Sequence, residues 1–291
     1  MSITILDGGM GQELMHRADG AATPLWSTRV MMDQPDLVRQ VHDDFFAAGA
    51  MVTTTNTYSL LRDRLEKYGL ADRIPDLTDI ALQAAEAARA KAGSGLIAGS
   101  IGPLGASYRP DLCPPPAEAA QLYAEPVALL KDRVDLLILE TMSSADQAEG
   151  AMRAANKADM PVWLAVSVMD GDGTRLRSGE ALRDLAPVVT HYRPDAVLIN
   201  CARPEAIAAA LEIIKGFGRP FGAYANGFTM IAEDFLKDAP TVDSLQARRD
   251  MTPDAYADFA EGWVAQGASI IGGCCEVGPA HIAELHRRLA G

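Results

Sequence analysis

Three of the four cysteines stand where chemistry could use them. Cys201 closes the run Ala196–Asn200 as Asn-Cys, and Cys274 and Cys275 follow a second apolar run as Gly272-Gly273-Cys274-Cys275. Zinc takes cysteine sulfur at ~2.3 Å, and a catalytic zinc keeps three protein ligands and one open position. Adjacent cysteines can both ligate where the backbone turns freely, and Gly272-Gly273 are expected to supply that freedom. The same thiols admit two other readings: small buried apolar residues, or a redox-active vicinal pair. Cys113 sits in a proline-rich stretch, Cys113-Pro114-Pro115-Pro116, away from any strand end, and is set aside.

A zinc held by three thiolates is a poor Lewis acid for water, because the ligands drain its positive charge. Hydrolytic zinc sites use His and carboxylate ligands instead. None of the five histidines, 16, 42, 191, 281 and 286, falls at a strand end, so surface or capping roles are expected for them. A soft site suits a soft fourth ligand, namely a substrate thiol, which zinc would deprotonate near neutral pH. Lysine is also missing from the strand ends, which argues against Schiff-base chemistry. Asp7 and Glu140 are the carboxylates at strand ends, and together they could hold the ammonium of an amino acid. Gly8 and Gly9 could bring exposed backbone N–H groups to its carboxylate. A turn or helix-cap role is the alternative for Asp7.

These residues need a frame that brings distant strand ends together. Short apolar runs occur at 3–6, 50–54, 96–100, 134–140, 162–168, 196–200, 221–224 and 268–271. Their continuity, rather than alternation, suits strands buried on both faces of a parallel sheet. Helical stretches are expected at 35–48, 76–92, 117–131, 144–157, 179–192, 204–215, 253–266 and 279–289. Several begin with proline, and Gly49 and Gly93 stand at two of their ends. Eight strands alternating with eight helices predict an α/β fold, a single (β/α)8 TIM barrel over residues 1–291, with its site at the C-terminal strand ends. An open doubly wound sheet fits less well, because Asp7-Gly8-Gly9-Met10-Gly11 lacks the G-x-G-x-x-G spacing. The segment 226–252 is too long for a bare connection and reads as a functional loop or one with its own short helix.

Composition narrows the partners. With 26 basic against 39 acidic residues the net charge is −13, which argues against nucleic acid or an anionic membrane. Hydrophobic residues at 48% and charged residues at 22% fit a folded globule. The N-terminus has no basic stretch ahead of a long apolar one, no run reaches a membrane span, and four cysteines make no disulfide scaffold, so a cytoplasmic protein is expected.

The motifs resemble those of the homocysteine S-methyltransferase family. They are Leu6-Asp7-Gly8-Gly9-Met10-Gly11, Leu25-Trp26-Ser27, Thr55-Asn56-Thr57-Tyr58, Gly99-Ser100-Ile101-Gly102-Pro103, Glu140-Thr141-Met142, Asn200-Cys201, and Gly272-Gly273-Cys274-Cys275 with Gly278-Pro279-Ala280-His281-Ile282. They run nearly end to end in the family's order. The resemblance implies zinc on Cys201, Cys274 and Cys275, with homocysteine on Asp7, Gly8, Gly9 and Glu140, and Asn56 in the same substrate set. The implied reaction is methyl transfer to the homocysteine sulfur, giving methionine. Family donors include S-methylmethionine, S-adenosylmethionine, betaines and methylated folate or corrinoid. Trp26, Tyr58 and Tyr224 are the aromatic candidates for a sulfonium or ammonium donor, and Leu25-Trp26-Ser27 points to the S-methylmethionine type. One departure stands out: Ala225-Asn226-Gly227-Phe228-Thr229 replaces the family's Pro-Asn-Ser/Ala-Gly-Glu-like turn. That leaves two alternatives, methyl transfer to another small thiol or selenol, and a non-catalytic zinc- or thiol-binding barrel that has lost donor recognition.

Overall fold

Eight parallel strands carry the chain. In a computed structural model, which describes residues 2–18, 25–231, 236 and 245–290, they are β1 (Thr4–Ile5), β2 (Val52–Thr54), β3 (Leu96–Ile101), β4 (Leu136–Met142), β5 (Val162–Val166), β6 (Ala196–Asn200), β7 (Phe221–Ala225) and β8 (Ile270–Gly273). Each pairs with the next, and β8 pairs with β1. A parallel bridge between Leu6 and Val52 joins β1 to β2, with Asp7 N–H donating to Val52 O at 2.9 Å. The sheet thus comes round on itself as the expected barrel.

The continuous apolar runs serve two cores. Along β4, Leu136 and Ile138 point inward with Leu6, Val52, Ala98 and Leu198, while Leu137 and Leu139 point outward against the helices. Both faces of a barrel strand are dry, so both are mainly apolar and a polar residue there needs a hydrogen-bond partner. All eight expected helical stretches contain helix, among them Pro35–Ala47, Ile74–Ala92, Pro253–Ala265 and Pro279–Leu289. The stretch 179–192 forms helix only from Ala186 to Tyr192, after a 3-10 turn Leu182–Leu185, because Arg175 bridges Ala181 and Gly179 takes φ +91°.

Besides 3-10 turns and the four-residue helix Arg62–Leu65, three described elements lie outside the sequence reading. Two eight-residue helices, Met10–Arg17 and Trp26–Asp33, follow β1 and are too short to show strong periodicity. A β-hairpin of Val168–Met169 and Asp172–Leu176 follows β5, which therefore ends at Val166 rather than 168. Of the segment 226–252, the described part forms a paired base, with Phe228 bridged to Ala247 and Thr229 N–H donating to Gln246 O at 2.9 Å. The short helix expected there falls outside the described residues. No helix among the described residues is long and apolar enough to cross a membrane.

Candidate metal centre and active site

Strand register brings the cysteines together. Asn200 on β6 and Gly272 on β8 both lie level with Tyr224 on β7. Just beyond, Cys201 N–H donates to Tyr224 O (3.1 Å) and Cys274 N–H to Ala225 O (2.9 Å). The Sγ atoms of Cys201, Cys274 and Cys275 all lie within 4.8 Å of one another, close enough for one cation to touch all three. Cys201 Sγ is the acceptor at the centre, taking hydrogen bonds from the Cys274 thiol and the Tyr108 hydroxyl, each at 2.9 Å. Those bonds from Cys274, Cys275 and Tyr108 hold the Cys201 thiol well below the usual thiol range, against burial. Cys274 rises for the complementary reason: its proton is engaged by Cys201. One thiolate already favoured among three sulfurs, with no carboxylate in the cluster, is a donor set that fits zinc.

Close approach, not backbone freedom, explains the glycines. Gly272 and Gly273 do not take positive φ, contrary to the expectation that they free the turn. A Cβ on Gly273 would stand 2.0 Å from Val277 Cγ1, and one on Gly8 1.9 Å from Val277 O. The β1 turn therefore packs directly on the turn that carries Cys274 and Cys275. Strain gathers at the same place. Seven non-glycine residues among those described have positive φ, and five of them (Trp26, Tyr108, Thr141, Cys201 and Glu276) line the cleft or adjoin Cys275.

Across the cleft lie the carboxylates. Asp7 is buried, and its Oδ2 accepts from Thr54 N–H (2.6 Å), Thr53 Oγ1 (2.9 Å) and Thr54 Oγ1 (3.1 Å). Glu140 accepts from the Ser100 hydroxyl (2.5 Å) and the Tyr224 hydroxyl (3.0 Å). Burial pushes the Asp7 carboxyl up to about 7, against these hydrogen bonds and with a push from Glu140. Burial likewise pushes Glu140 up to about 7. No Arg or Lys is among the described residues lining this cleft of about 930 Å³, open solvent included. The pair thus lacks a cation that a ligand could supply.

The other expected site residues also line the cleft, but several spend their polar atoms on the protein. Asn56 donates its amide to Ser27 O (3.3 Å) and Met31 Sδ (3.6 Å), tying the helix Trp26–Asp33 to the rim. Gly9 N–H is not exposed as expected, because it donates to Val277 O (2.9 Å). The helix Met10–Arg17 that Gly9 caps is better placed to meet an anion, since its first turn enters the cleft with Gly11 and Gln12. A helix N-terminus leaves its first N–H groups without intrahelical acceptors. The Tyr58 hydroxyl pairs with Ser107 Oγ (2.8 Å) and Arg64 lies over its ring at 5.4 Å, while Trp26 lines the mouth. Tyr108, Phe228 and Leu245 add apolar wall that the sequence did not single out. Asn200 was noted at its strand end without a role; it clamps β6 to β4, accepting from Thr141 N–H and donating to Thr141 Oγ1, both at 2.9 Å.

One histidine departs from expectation. His42 is wholly buried rather than surface or capping, with Nδ1 2.7 Å from Thr53 Oγ1.

With this geometry in hand, similarity to known proteins is decisive. The model of the family described as homocysteine S-methyltransferase matches residues 4–289. The chain belongs to the homocysteine S-methyltransferase family. An Escherichia coli (strain K12) homocysteine S-methyltransferase is 31% identical, over 98% of this chain and 95% of its own length. Homocysteine S-methyltransferase YbgG of Bacillus subtilis (strain 168) is 28% identical over 97% and 93%. Family likeness extends to a selenocysteine Se-methyltransferase of Brassica oleracea var. italica, 25% identical over 98% and 88%. A crystal structure of E. coli MmuM, a homocysteine methyltransferase, in metallated form superposes with TM-score 0.82 at 29% identity, covering 99% of this chain and 96% of that one.

Proposed function

We propose that this enzyme transfers a methyl group to the sulfur of homocysteine, with the whole chain, residues 1–291, acting as one homocysteine-binding barrel. The observation that carries the reading is the facing of two unlike clusters across one cleft: three thiols, and a buried and a half-buried carboxylate with no Arg or Lys among the described lining residues. A thiol that also bears an ammonium is the ligand that completes both. Cys201, Cys274 and Cys275 would hold zinc, which the metallated state of the MmuM relative supports. Bound there, zinc supplies acidification of the acceptor thiol, so no side chain need act as a strong base.

The chain's own residues do the rest. Asp7 and Glu140 grip the ammonium, and each gains from the other's charge being offset. The first turn of the helix Met10–Arg17 receives the carboxylate, beside Gly8 and Gly9. Those contacts aim the sulfur toward the side of the cleft walled by Trp26, Tyr58, Tyr108 and Phe228. Holding sulfur and methyl in line converts a bimolecular step into a positioned one. The aromatic wall suits a cationic donor, an S-methylmethionine-like sulfonium first, with S-adenosylmethionine or a betaine as the other choices. Tyr224 leaves the donor set in this reading, because its hydroxyl serves Glu140. All four cysteines are unpaired, as a reducing cytoplasm would keep them.

A donor panel with homocysteine as acceptor, read by mass spectrometry, tests the reaction. Methionine formed from one cationic donor supports it; no turnover with any donor by zinc-loaded protein overturns it. A selenol acceptor is the second reading, favoured by the relative named as a selenocysteine Se-methyltransferase. Parallel assays with selenocysteine decide between them.

A further inference from the structure

The Asp7 side chain, read above as an ammonium ligand, is held from outside the barrel. Val52 of β2 packs in the barrel interior, so its neighbour Thr53 points to the opposite face, toward the helices. There Thr53 Oγ1 lies between Asp7 Oδ2 at 2.9 Å and Nδ1 of His42, on the helix Pro35–Ala47, at 2.7 Å. A hydroxyl has one proton. With Asp7 ionised, as a bound ammonium would hold it, Thr53 gives its proton to Asp7, so toward His42 the oxygen can only accept. His42 must therefore carry its proton on Nδ1. Burial pushes the His42 imidazole down to about 3, so the ring is neutral and Nε2 is a bare lone pair. That Nε2 is buried with no hydrogen-bond partner among the described residues. An apolar side chain would fill this helix position without stranding a polar atom. The histidine is thus used for a single bond.

We infer that His42 is a positioning residue for homocysteine binding, acting through Thr53 to fix which oxygen of Asp7 faces the substrate. The consequence is visible at Asp7. Oδ2 takes three donors, whereas Oδ1 has only a long contact of 3.3 Å from Thr54 Oγ1. Oδ2 is anchored in the wall and Oδ1 is left for the ammonium. Without the His42 bond, the Thr53 rotamer is held less firmly, and so is the plane of the Asp7 carboxylate to which it donates.

This inference rests on the reading of Asp7 as an ammonium ligand, so Asp7→Asn is the reference variant. If Asp7→Asn leaves the homocysteine KM and calorimetric Kd unchanged, that reading fails and takes the inference with it. If Asp7→Asn weakens binding, two changes test His42 itself. Thr53→Val keeps the shape and removes the hydroxyl; His42→Leu removes the donor and the stranded nitrogen together. Each should raise the KM and Kd for homocysteine about tenfold, the low end for groups that orient a ligand-binding side chain. Zinc content and kcat should stay within about twofold. His42→Asn, whose amide nitrogen can occupy the place of Nδ1, should restore binding. The double variant His42→Leu/Thr53→Val should be no worse than Thr53→Val alone, because the two act in series. A merely structural histidine gives another pattern: Tm falls in His42→Leu while homocysteine binding holds. That pattern, or additive effects in the double variant, overturns the inference.

Discussion

The two sides of the cleft are finished to different degrees. On the carboxylate side, Asp7 and Glu140 accept from threonine, serine and tyrosine hydroxyls and a backbone N–H, so their positions are set before any ligand arrives. On the thiol side, Cys274 donates to Cys201, and Cys275 lies 3.9 Å from Cys201. Cys201 and Glu276 are also held in left-handed backbone there, at φ +49° and +63°. In the proposed reading the first side recognises by preorganisation and the second is completed by a metal. The difference predicts that substrate binding and metal binding are separable.

The largest effect should break the thiol side alone. Cys274→Ser should lose zinc and with it methyl transfer, by more than the ~10–100-fold that changes in supporting residues cost. Zinc content by mass spectrometry and product assays check this. Retention of both metal and turnover would sink the assignment of the site. Next, Glu140→Gln should break the carboxylate side. A charged hydrogen-bond partner contributes about 1.5–3 kcal/mol, so the homocysteine KM should rise about 10–100-fold with zinc content intact. If zinc is lost too, the two sides are coupled and the contrast fails.

Tyr224→Phe is a gentler cut, removing one hydroxyl from Glu140. A loss of about 0.5–1.5 kcal/mol predicts a several-fold rise in homocysteine KM, and donor KM should not move. A change in donor KM instead would return Tyr224 to the donor site. The subtlest test is pH. Glu140 sits up to about 7 in the fold, above its ordinary range, so between roughly pH 4.5 and 7 the native state binds more protons than the unfolded one. Its contribution therefore favours the fold at low pH and is lost as pH rises through 7. Without homocysteine, Glu140→Gln should melt with the parent at pH 5 and above it at pH 8. Equal Tm values at both would show that Glu140 is not strained by its charge.

Much of this was legible beforehand. Eight apolar runs and eight helical stretches sufficed for the barrel, because a barrel strand buries both faces and so leaves a continuous apolar signature. The metal centre was legible because cysteine at a strand end is rare and chemically specific. Short elements were not: Met10–Arg17 and Trp26–Asp33 span little more than two turns each, and the hairpin after β5, although it turns at a readable Asp170-Gly171, has arms of only two and five residues with little apolar alternation. His42 was missed because its helix shows only that one face is buried, not that a threonine on a neighbouring strand waits for it.

By itself, the sequence determined the fold class, the three sulfurs, the two carboxylates and the family. Those depend on residue type and order along the chain, which periodicity and motif spacing express directly. Only the tertiary structure decided what each group touches. It turned Gly272 and Gly273 from hinges into close contacts, hydrogen-bonded Tyr224 to Glu140, occupied Gly9 N–H, and linked His42 to Asp7 through Thr53. Each is a contact between residues distant in sequence. Register and packing set such contacts, and no local pattern records them.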